Sequence, residues 1–368
     1  MGVCGATMSR DELIAWLRLL SLEFSANKLR TLLERFGDPE GVLRADAAAL
    51  REVSGIREVD VVAIENASRA PVSMPALLES GEVQLLVAGV SNEYPHSLEA
   101  LSDPPPALFV WGTLQERDRF AVSVVGTRTP SAYGRMVAER FTRDLCAAGL
   151  TIISGGALGI DTVAHRTALE ANGRTIAIVG SGLGSLYPAE NRALFRRIAE
   201  SGGAVVSEYP WDATPDAWRF PVRNRLIAAW GLGTLVVEAP EASGALITAR
   251  LAADCGREVF AVPGSIDNPK SKGCHALIKD GAALVDSVED ILNALKIQSE
   301  PRERTMSLPI LTEIQEKLLS ALDLEPRHVD ALARQVGLPV HTAQAELTML
   351  EMHGLARRMP GGAFVRVL

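Results

Sequence analysis

One turn of this sequence combines a glycine and an arginine in a way that suits anion binding. Residues 120–135 read FAVSVVGTRTPSAYGR, an apolar β-branched run followed by Gly126, Thr127 and Arg128. Backbone N–H groups at a strand-to-helix turn attract an anion, and an arginine adds a fork of donors that suits phosphate. These residues predict a phosphate site, and the alternative is an ordinary turn with an exposed arginine.

The elements that must position this turn are predicted by the same stretch. Residues 121–125 have the pattern of a strand buried on both faces. Thr129 precedes a proline and suits a helix N-cap, while Pro130 fits the first helical position. The helix is predicted to end at Gly149, because glycine favours the position after a helix.

A second glycine turn lies in residues 154–161, SGGALGID. Gly155 and Gly156 permit the close backbone approach that a phosphate-binding loop requires. Asp161 falls in the first turn of the following helix, where its charge complements the helix dipole but would repel a phosphate. We interpret Asp161 as a structural tie, with general-base chemistry as the alternative.

The densest basic stretch of the large domain is WRFPVRNR, at residues 218–225. Arginines for phosphates beside an aromatic residue for base stacking are typical of a groove for single-stranded nucleic acid. We predict binding by Arg223 and Arg225, while Arg219 fits binding and structure equally well. In the alternative interpretation the arginines pair with Glu208 and Glu238 at neighbouring strand ends.

Composition limits the class of partner. The chain has 368 residues, a net charge of −8 and a pI near 5.4. An acidic protein is not coated in basic surface for duplex DNA, but a local basic groove is compatible with this charge. No apolar run is long enough to cross a membrane, the first residues lack the apolar core of a signal peptide, and Ala6 breaks a myristoylation pattern. A cytoplasmic protein without membrane insertion is therefore expected.

Several chemistries are disfavoured by the motifs that the sequence lacks. Its four cysteines are too scattered for a disulfide framework, and Cys274-His275 has no second pair at metal-ligand spacing. There is no GxxxxGK[ST] loop, and GSGLG at residues 180–184 lacks the spacing of a dinucleotide fingerprint. We expect neither a metal nor a cofactor.

The periodicity of apolar residues indicates three domains. Residues 1–70 predict a small helical domain, of a SAM-like or helix-hairpin-helix-like type. Residues 71–296 alternate apolar strands, glycine loops and helices, which predicts an α/β fold with a mainly parallel sheet. Residues 297–309 are polar with prolines and predict a linker. Residues 310–368 read as three helices and a hairpin, the order of a winged-helix domain.

Packing or protein contact is the favoured role for the N-terminal helical domain, and protein contact is favoured for the winged-helix domain. Residues 54–56, SGI, are similar to the turn of a helix-hairpin-helix motif, but an arginine replaces its second glycine. The third helix of the winged-helix domain offers mainly Thr342, Gln344, Glu346 and Glu351, without the basic side chains of a duplex reader. Duplex-binding regulation is the alternative for that domain.

A series of motifs carries a family resemblance: GTRTPSAYG, SGGALGID, GSGLGSLYPAEN, SEYP, FPVRNRLIA, VVEAPEASGALITA, FAVPG and LIKDGA. Over residues 75–295 the chain resembles the DNA-processing protein DprA (Smf) family. The resemblance implies an extended Rossmann domain that binds single-stranded DNA and loads the recombinase RecA onto it during natural transformation. It also implies a homodimer formed through this domain, and no catalytic chemistry.

The resemblance also implies roles for individual positions. Arg128 would be the principal phosphate ligand, Arg192 the basic residue after YPxxN, and Arg223, Asn224 and Arg225 the RNR contacts. With the two glycine turns and a loop lysine included, the predicted single-stranded DNA contacts are Gly126, Thr127, Arg128, Gly155, Gly156, Arg192, Arg223, Asn224, Arg225 and Lys272.

Two further groups lie near residue 275. Lys270 and Lys272 belong to a loop rich in glycine and proline and are expected to extend the groove. Leu277 and Ile278, in LIKDGA, lie where similar proteins place apolar residues for dimer formation and recombinase contact. Their alternative is packing in the protein core.

An enzyme is the alternative function. GLGTLVVEA at residues 231–239 resembles the PGGxGTxxE motif of nucleotide-monophosphate phosphoribohydrolases. Trp230 and Leu232 replace the proline and the middle glycine, and Glu238 falls one residue late. On a strand that shift turns the carboxylate to the other face, which predicts an arginine partner for Glu238 rather than a general base.

Overall fold

The computed structural model describes residues 8–297 and 311–367. Its first part is helical, and four helices follow a serine or aspartate whose side chain accepts a hydrogen bond from the N–H three residues later. The helices are α1 (Arg10–Leu20), α2 (Ala26–Phe36), α3 (Pro39–Arg44), α4 (Ala47–Arg51), α5 (Glu58–Arg69), α6 (Ala76–Glu79) and, further on, α7 (His96–Glu99). The predicted linker lies outside the described residues, apart from its first position.

A nine-stranded sheet within the described residues forms the centre of the large domain. Its strands are β1 (Val83–Val87), β2 (Ala107–Gly112), β3 (Ala121–Val125), β4 (Thr151–Ser154), β5 (Thr175–Ile178), β6 (Ala204–Ser207), β7 (Gly233–Val236), β8 (Glu258–Ala261) and β9 (Ala283–Leu284). They lie in the order β1-β2-β6-β5-β4-β3-β7-β8-β9. The strands from β6 to β9 are parallel, whereas β2 is antiparallel to β1 and β6. The predicted α/β fold with a mainly parallel sheet is confirmed.

Helices cover both faces of this sheet. They are α8 (Ala132–Ala147), α9 (Ile160–Glu170), α10 (Arg192–Glu200), α11 (Arg219–Trp230), α12 (Gly244–Asp254), α13 (Lys272–Lys279) and α14 (Val288–Ala294). All five residues of β3 are buried, and they alternate between the two faces. Val122 and Val124 pack in the cluster of α8, α9 and α14, whereas Ala121 and Val125 pack in that of α11, α12 and α13.

The N-terminal helices pack directly on one end of the sheet. Trp16 of α1 and Leu32 of α2 share an apolar cluster with Phe109 of β2 and Phe195 of α10. This continuous core fixes the position of the loop between α1 and α2 relative to the sheet.

Helix α8 begins later than the sequence predicted. Its N-cap is Ser131, whose Oγ accepts a hydrogen bond from the N–H of Gly134 at 3.0 Å, so the prediction of Thr129 as N-cap and Pro130 as first residue is wrong. The end of the helix agrees with prediction, because Gly149 follows the C-cap with a φ of 82°.

The C-terminal part is a winged-helix domain. It contains α15 (Glu313–Ala321), β10 (Arg327–His328), α16 (Val329–Val336), α17 (Val340–Met352), β11 (Ala356–Met359) and β12 (Ala363–Arg366). The strands form a three-stranded sheet over a separate apolar cluster. Its hairpin contacts α8, where Arg357 donates to both carboxylate oxygens of Glu139 at 3.1 and 2.7 Å. Within the part of the chain that the structure describes, no helix has the length and apolar character needed to cross a bilayer.

Candidate nucleic-acid interface

A cleft opens at the carboxyl ends of β3 and β7. From β3 the following strands are added on one side of the sheet as far as β6, and from β7 they are added on the other side as far as β9. The strand order therefore changes direction between β3 and β7, and such a switch point is where parallel α/β sheets bind ligands. The cleft has a volume of about 610 Å³. Its lining includes five of the predicted contacts, together with two aromatic residues: Gly126, Thr127, Arg128, Arg223, Asn224, Tyr187 and Phe220.

Arg128 offers an exposed charge beside flat rings at the mouth of this cleft. Its guanidinium carbon lies 5.7 Å from the ring centroid of Phe220. The ring of Tyr187, which is 45% exposed, lies 5.9 Å from that of Phe220. A cation beside aromatic rings can contact a phosphate and a base of the same strand.

The N-terminus of α8 is already occupied by a carboxylate of the protein. Glu238, only 1% exposed, accepts hydrogen bonds from the N–H of Ser131 at 2.8 Å and its Oγ at 2.7 Å. Asn268 donates a third bond at 3.2 Å. The expectation of an arginine partner for Glu238 is wrong, because the carboxylate caps the helix that was predicted to hold a phosphate.

A second carboxylate closes the glycine turn after β4. Asp161 accepts hydrogen bonds from the N–H groups of Gly155 at 3.1 Å and Ala157 at 3.3 Å. Burial raises the pKa of Asp161 to about 6, against the opposing effect of the Arg223 charge. The prediction that Asp161 is a structural tie is confirmed.

The two glycines of this turn serve packing within the protein. A Cβ on Gly155 would lie 2.8 Å from Oδ2 of Asp161, and a Cβ on Gly156 would lie 2.5 Å from the Phe195 ring. Gly156 also has a φ of 67°, in the left-handed region that glycine tolerates. Neither glycine is therefore kept among the phosphate contacts that we propose.

Arg223 holds two strand ends together. Its side chain is 5% exposed and donates to the carbonyl of Gly155 at 2.9 Å and to that of Ile178. Burial lowers the pKa of Arg223 to about 10, while the charge of Asp161 favours the protonated form. Because Gly155 follows β4 and Ile178 ends β5, the guanidinium braces the floor of the cleft instead of projecting towards a phosphate.

Arg225 forms an ion pair with Glu208, as the alternative interpretation predicted. Two hydrogen bonds of 3.0 and 2.6 Å join them, and the side chains are 13% and 9% exposed. Burial raises the pKa of Glu208, and the neighbouring Arg225 opposes that rise. Arg225 is therefore excluded from the proposed DNA contacts.

Of the remaining predicted cations, Arg192 and Lys272 are exposed. Arg192 opens α10 and Lys272 opens α13. Lys270, half-buried, donates from Nζ to the carbonyl of Thr129, on the turn that carries Arg128. These side chains can add positive charge beyond the cleft itself.

The predicted dimer residues have different surroundings. Leu277 is 9% exposed and belongs to the apolar cluster under α11 and α12, so its side chain is core packing in this chain. Ile278 is half-buried against the same cluster. Leu277 is therefore corrected from a contact residue to a core residue.

Two residues that shape the cleft were missed from the sequence. Asn191, 1% exposed, donates from Nδ2 to the carbonyl of Gly156 at 2.9 Å and to Oγ1 of Thr162 at 2.8 Å. Tyr187 provides an exposed ring. Both lie in the motif LYPAEN, where an aromatic residue and an amide ahead of a helix were the available signal.

The fold and the site together define a Rossmann-like protein with a winged-helix domain, whose cleft presents one exposed arginine and two aromatic rings to a ligand. The chain belongs to the DNA recombination-mediator protein A family, whose model matches residues 86–296. The model of the DprA winged helix domain matches residues 302–362.

Similar proteins support this assignment along most of the chain. Protein Smf of Escherichia coli is 42% identical over 294 residues, which cover 77% of each chain. A solved structure of DNA processing protein A from Streptococcus pneumoniae has a TM-score of 0.64 and 34% identity, and it covers 76% of this chain and 96% of its own. The Helicobacter pylori homologue, described for its single-stranded DNA binding mode, has a TM-score of 0.53 and 29% identity, with 60% and 98% covered.

Proposed function

We propose that this protein binds single-stranded DNA independently of sequence and loads RecA onto it, as a recombination mediator in DNA uptake and natural transformation. The DNA-binding part rests on the position of Arg128, which is exposed in the cleft at the carboxyl ends of β3 and β7, next to the rings of Phe220 and Tyr187. Arg128, Arg192 and Lys272 would contact phosphates. The rings would stack on bases, which needs no particular sequence because every base has a flat face.

The recombinase step rests on membership of the recombination-mediator family, not on a contact surface. From the same membership we propose a homodimer that acts in the cytoplasm, with the half-buried Ile278 as one candidate contact. The proposed function involves no cofactor or metal.

The phosphoribohydrolase alternative has lost its candidate base. Glu238 is buried and accepts three hydrogen bonds from Ser131 and Asn268, so it cannot reach a substrate in the cleft. Duplex reading by the winged-helix domain is also disfavoured, because α17 carries no arginine or lysine.

Binding of a fluorescent oligo(dT) across a salt series tests the proposal. We expect log K to fall linearly with log salt, by about 0.7 for each phosphate that the protein neutralises. Arg128→Ala should lose about tenfold in affinity and reduce the slope by about 0.7. Arg117→Ala is the matched control, since Arg117 is exposed just before the amino end of β3, whereas the cleft lies at the carboxyl end of that strand.

Two results would contradict this function. Absence of oligo(dT) binding by the wild type at low salt would remove the DNA-binding part. Equal losses for Arg128→Ala and Arg117→Ala would place the DNA elsewhere. The mediator step is tested by RecA ATPase activity on single-stranded DNA coated with a single-strand binding protein, which the wild type should raise and Arg128→Ala should not.

A further inference from the structure

Arg219 is a buried charge that the proposed DNA contacts do not use. It is the first residue of α11, its side chain is 5% exposed, and it lies outside the lining of the cleft. Its Nη2 donates to both carboxylate oxygens of Glu23 at 3.0 and 2.9 Å. Glu23 lies in the loop between α1 and α2, so this ion pair joins the N-terminal helices to the start of α11.

Several contacts fix this guanidinium in one position. Its carbon lies 4.5 Å from the ring centroid of Trp218 and 4.9 Å from that of Tyr209. Tyr209 in turn donates from its hydroxyl to the carbonyl of Arg219 at 2.9 Å. Glu23 has a φ of 50°, a left-handed conformation that non-glycine residues keep only where their surroundings impose it.

The next residue after Arg219 is Phe220, the ring at the mouth of the cleft. Phe220 packs tightly on the loop after β5, where a Cβ on Gly180 would lie 2.8 Å from its ring. A shift at the start of α11 would therefore move the ring away from Arg128 and Tyr187. We infer that Arg219, held by Glu23, is a positioning residue for Phe220, so that the N-terminal helices contribute to base binding without contacting DNA.

This inference rests on the proposed function and is tested with two ligands. Oligo(dT) offers phosphates and bases, whereas an abasic oligomer of the same length offers phosphates alone. We expect Glu23→Ala to lower oligo(dT) affinity about fivefold or more, the scale of one stacking contact, with abasic affinity and the salt slope unchanged. Phe220→Ala should have the same effect. The double variant should lose no more than either single variant, because both changes remove one contact.

Asp60→Asn is the matched control. Asp60 is another paired carboxylate of the N-terminal helices. It is buried, whereas the Glu23 side chain is 37% exposed, and it accepts a hydrogen bond from Lys28 at 2.8 Å instead of from a residue of α11. We expect this variant to bind both oligomers like the wild type, whereas a purely structural role of the N-terminal helices would make both variants behave alike. Glu23→Gln, which keeps the shape of the side chain, gives a second and milder variant if Glu23→Ala unfolds.

The outcomes separate this inference from the proposed function. If the wild type binds oligo(dT) and both Glu23 variants bind it with the same affinity, the inference is overturned but the proposed function is not. Equal loss on both oligomers also overturns it, because the defect would then concern phosphates. Failure of the wild type to bind either oligomer overturns the proposed function and the inference with it.

Discussion

Two sets of arginines around the cleft differ in what their charges do. Arg128, on the turn after β3, is exposed. Arg219, Arg223 and Arg225, all on α11, are 5%, 5% and 13% exposed and bind carboxylates or carbonyls of the protein. A buried guanidinium charge is costly unless groups of the protein pair with it, so these three arginines hold parts of the protein together around the cleft. Arg128 is the exposed arginine of the cleft lining and is left to contact the ligand.

In the two glycine turns, groups of the protein likewise pair with one another. Glu238 fills the N-terminus of α8 and Asp161 fills the turn after β4, so both places where a Rossmann-like protein often binds phosphate hold a carboxylate of the chain itself. The phosphates of a nucleotide could not bind at these positions, because the carboxylates already occupy them. A DNA strand can instead be bound by exposed side chains along the cleft rim, which is the arrangement that we propose.

The largest effect should come from Arg223→Ala. This change leaves the buried Asp161 without its cation and frees the carbonyls of Gly155 and Ile178, which should cost about 3 to 5 kcal/mol of unfolding free energy. Urea denaturation measures it. Arg128→Ala is the matched comparison and should change stability by less than about 0.5 kcal/mol. If Arg223→Ala kept full stability but lost DNA binding, the division between the two sets would be wrong.

The next effect concerns the pH dependence of stability. The pKa of Asp161 is raised by burial from 3.8 to about 6, so the folded state binds this proton more tightly than the unfolded chain. Its contribution is therefore greatest below pH 4, declines as the pH rises to about 6 and is constant above that. The decline amounts to about 3 kcal/mol.

Asp161→Asn should remove this decline. The difference in unfolding free energy between variant and wild type, measured from pH 4 to pH 8, should rise in favour of the variant by that amount and then level off. A difference that stays flat across the range would show that Asp161 titrates normally. The variant keeps one acceptor for the N–H groups of the turn, so it should still fold.

How much of this could be predicted from the sequence depends on the distance along the chain. The β3 turn, the parallel sheet and Asp161 as a tie follow from local patterns, because their causes lie within a few residues. The partners of Arg223 lie 68 and 45 residues away, and Glu238 is 107 residues from Ser131. Such pairs exist only once the strands are in register, so local composition indicated charge without showing whether it is free.

A smaller effect is expected for Arg192, which is exposed but lies outside the cleft lining. Arg192→Ala should weaken oligo(dT) binding about threefold and reduce the salt slope by up to about 0.7, since a single peripheral phosphate contact is removed. Stability should stay within about 0.5 kcal/mol. Asn191→Ala contrasts with it, because this neighbour is buried and clamps the Gly156 turn. Stability loss in Arg192→Ala would move Arg192 into the structural set.

The smallest effect should come from Arg357, whose side chain is paired like the buried arginines but is partly exposed. Arg357 of the winged-helix hairpin is 42% exposed and paired with Glu139 on α8, away from the cleft lining. Partly exposed pairs contribute about 0.2 to 1 kcal/mol and are screened by salt. A double-mutant cycle with Glu139→Gln and Arg357→Gln should give a coupling in that range, smaller at high salt, with oligo(dT) affinity unchanged. A change in DNA affinity would instead mean that docking of the winged-helix domain alters the cleft, and the two sets of arginines would no longer be independent.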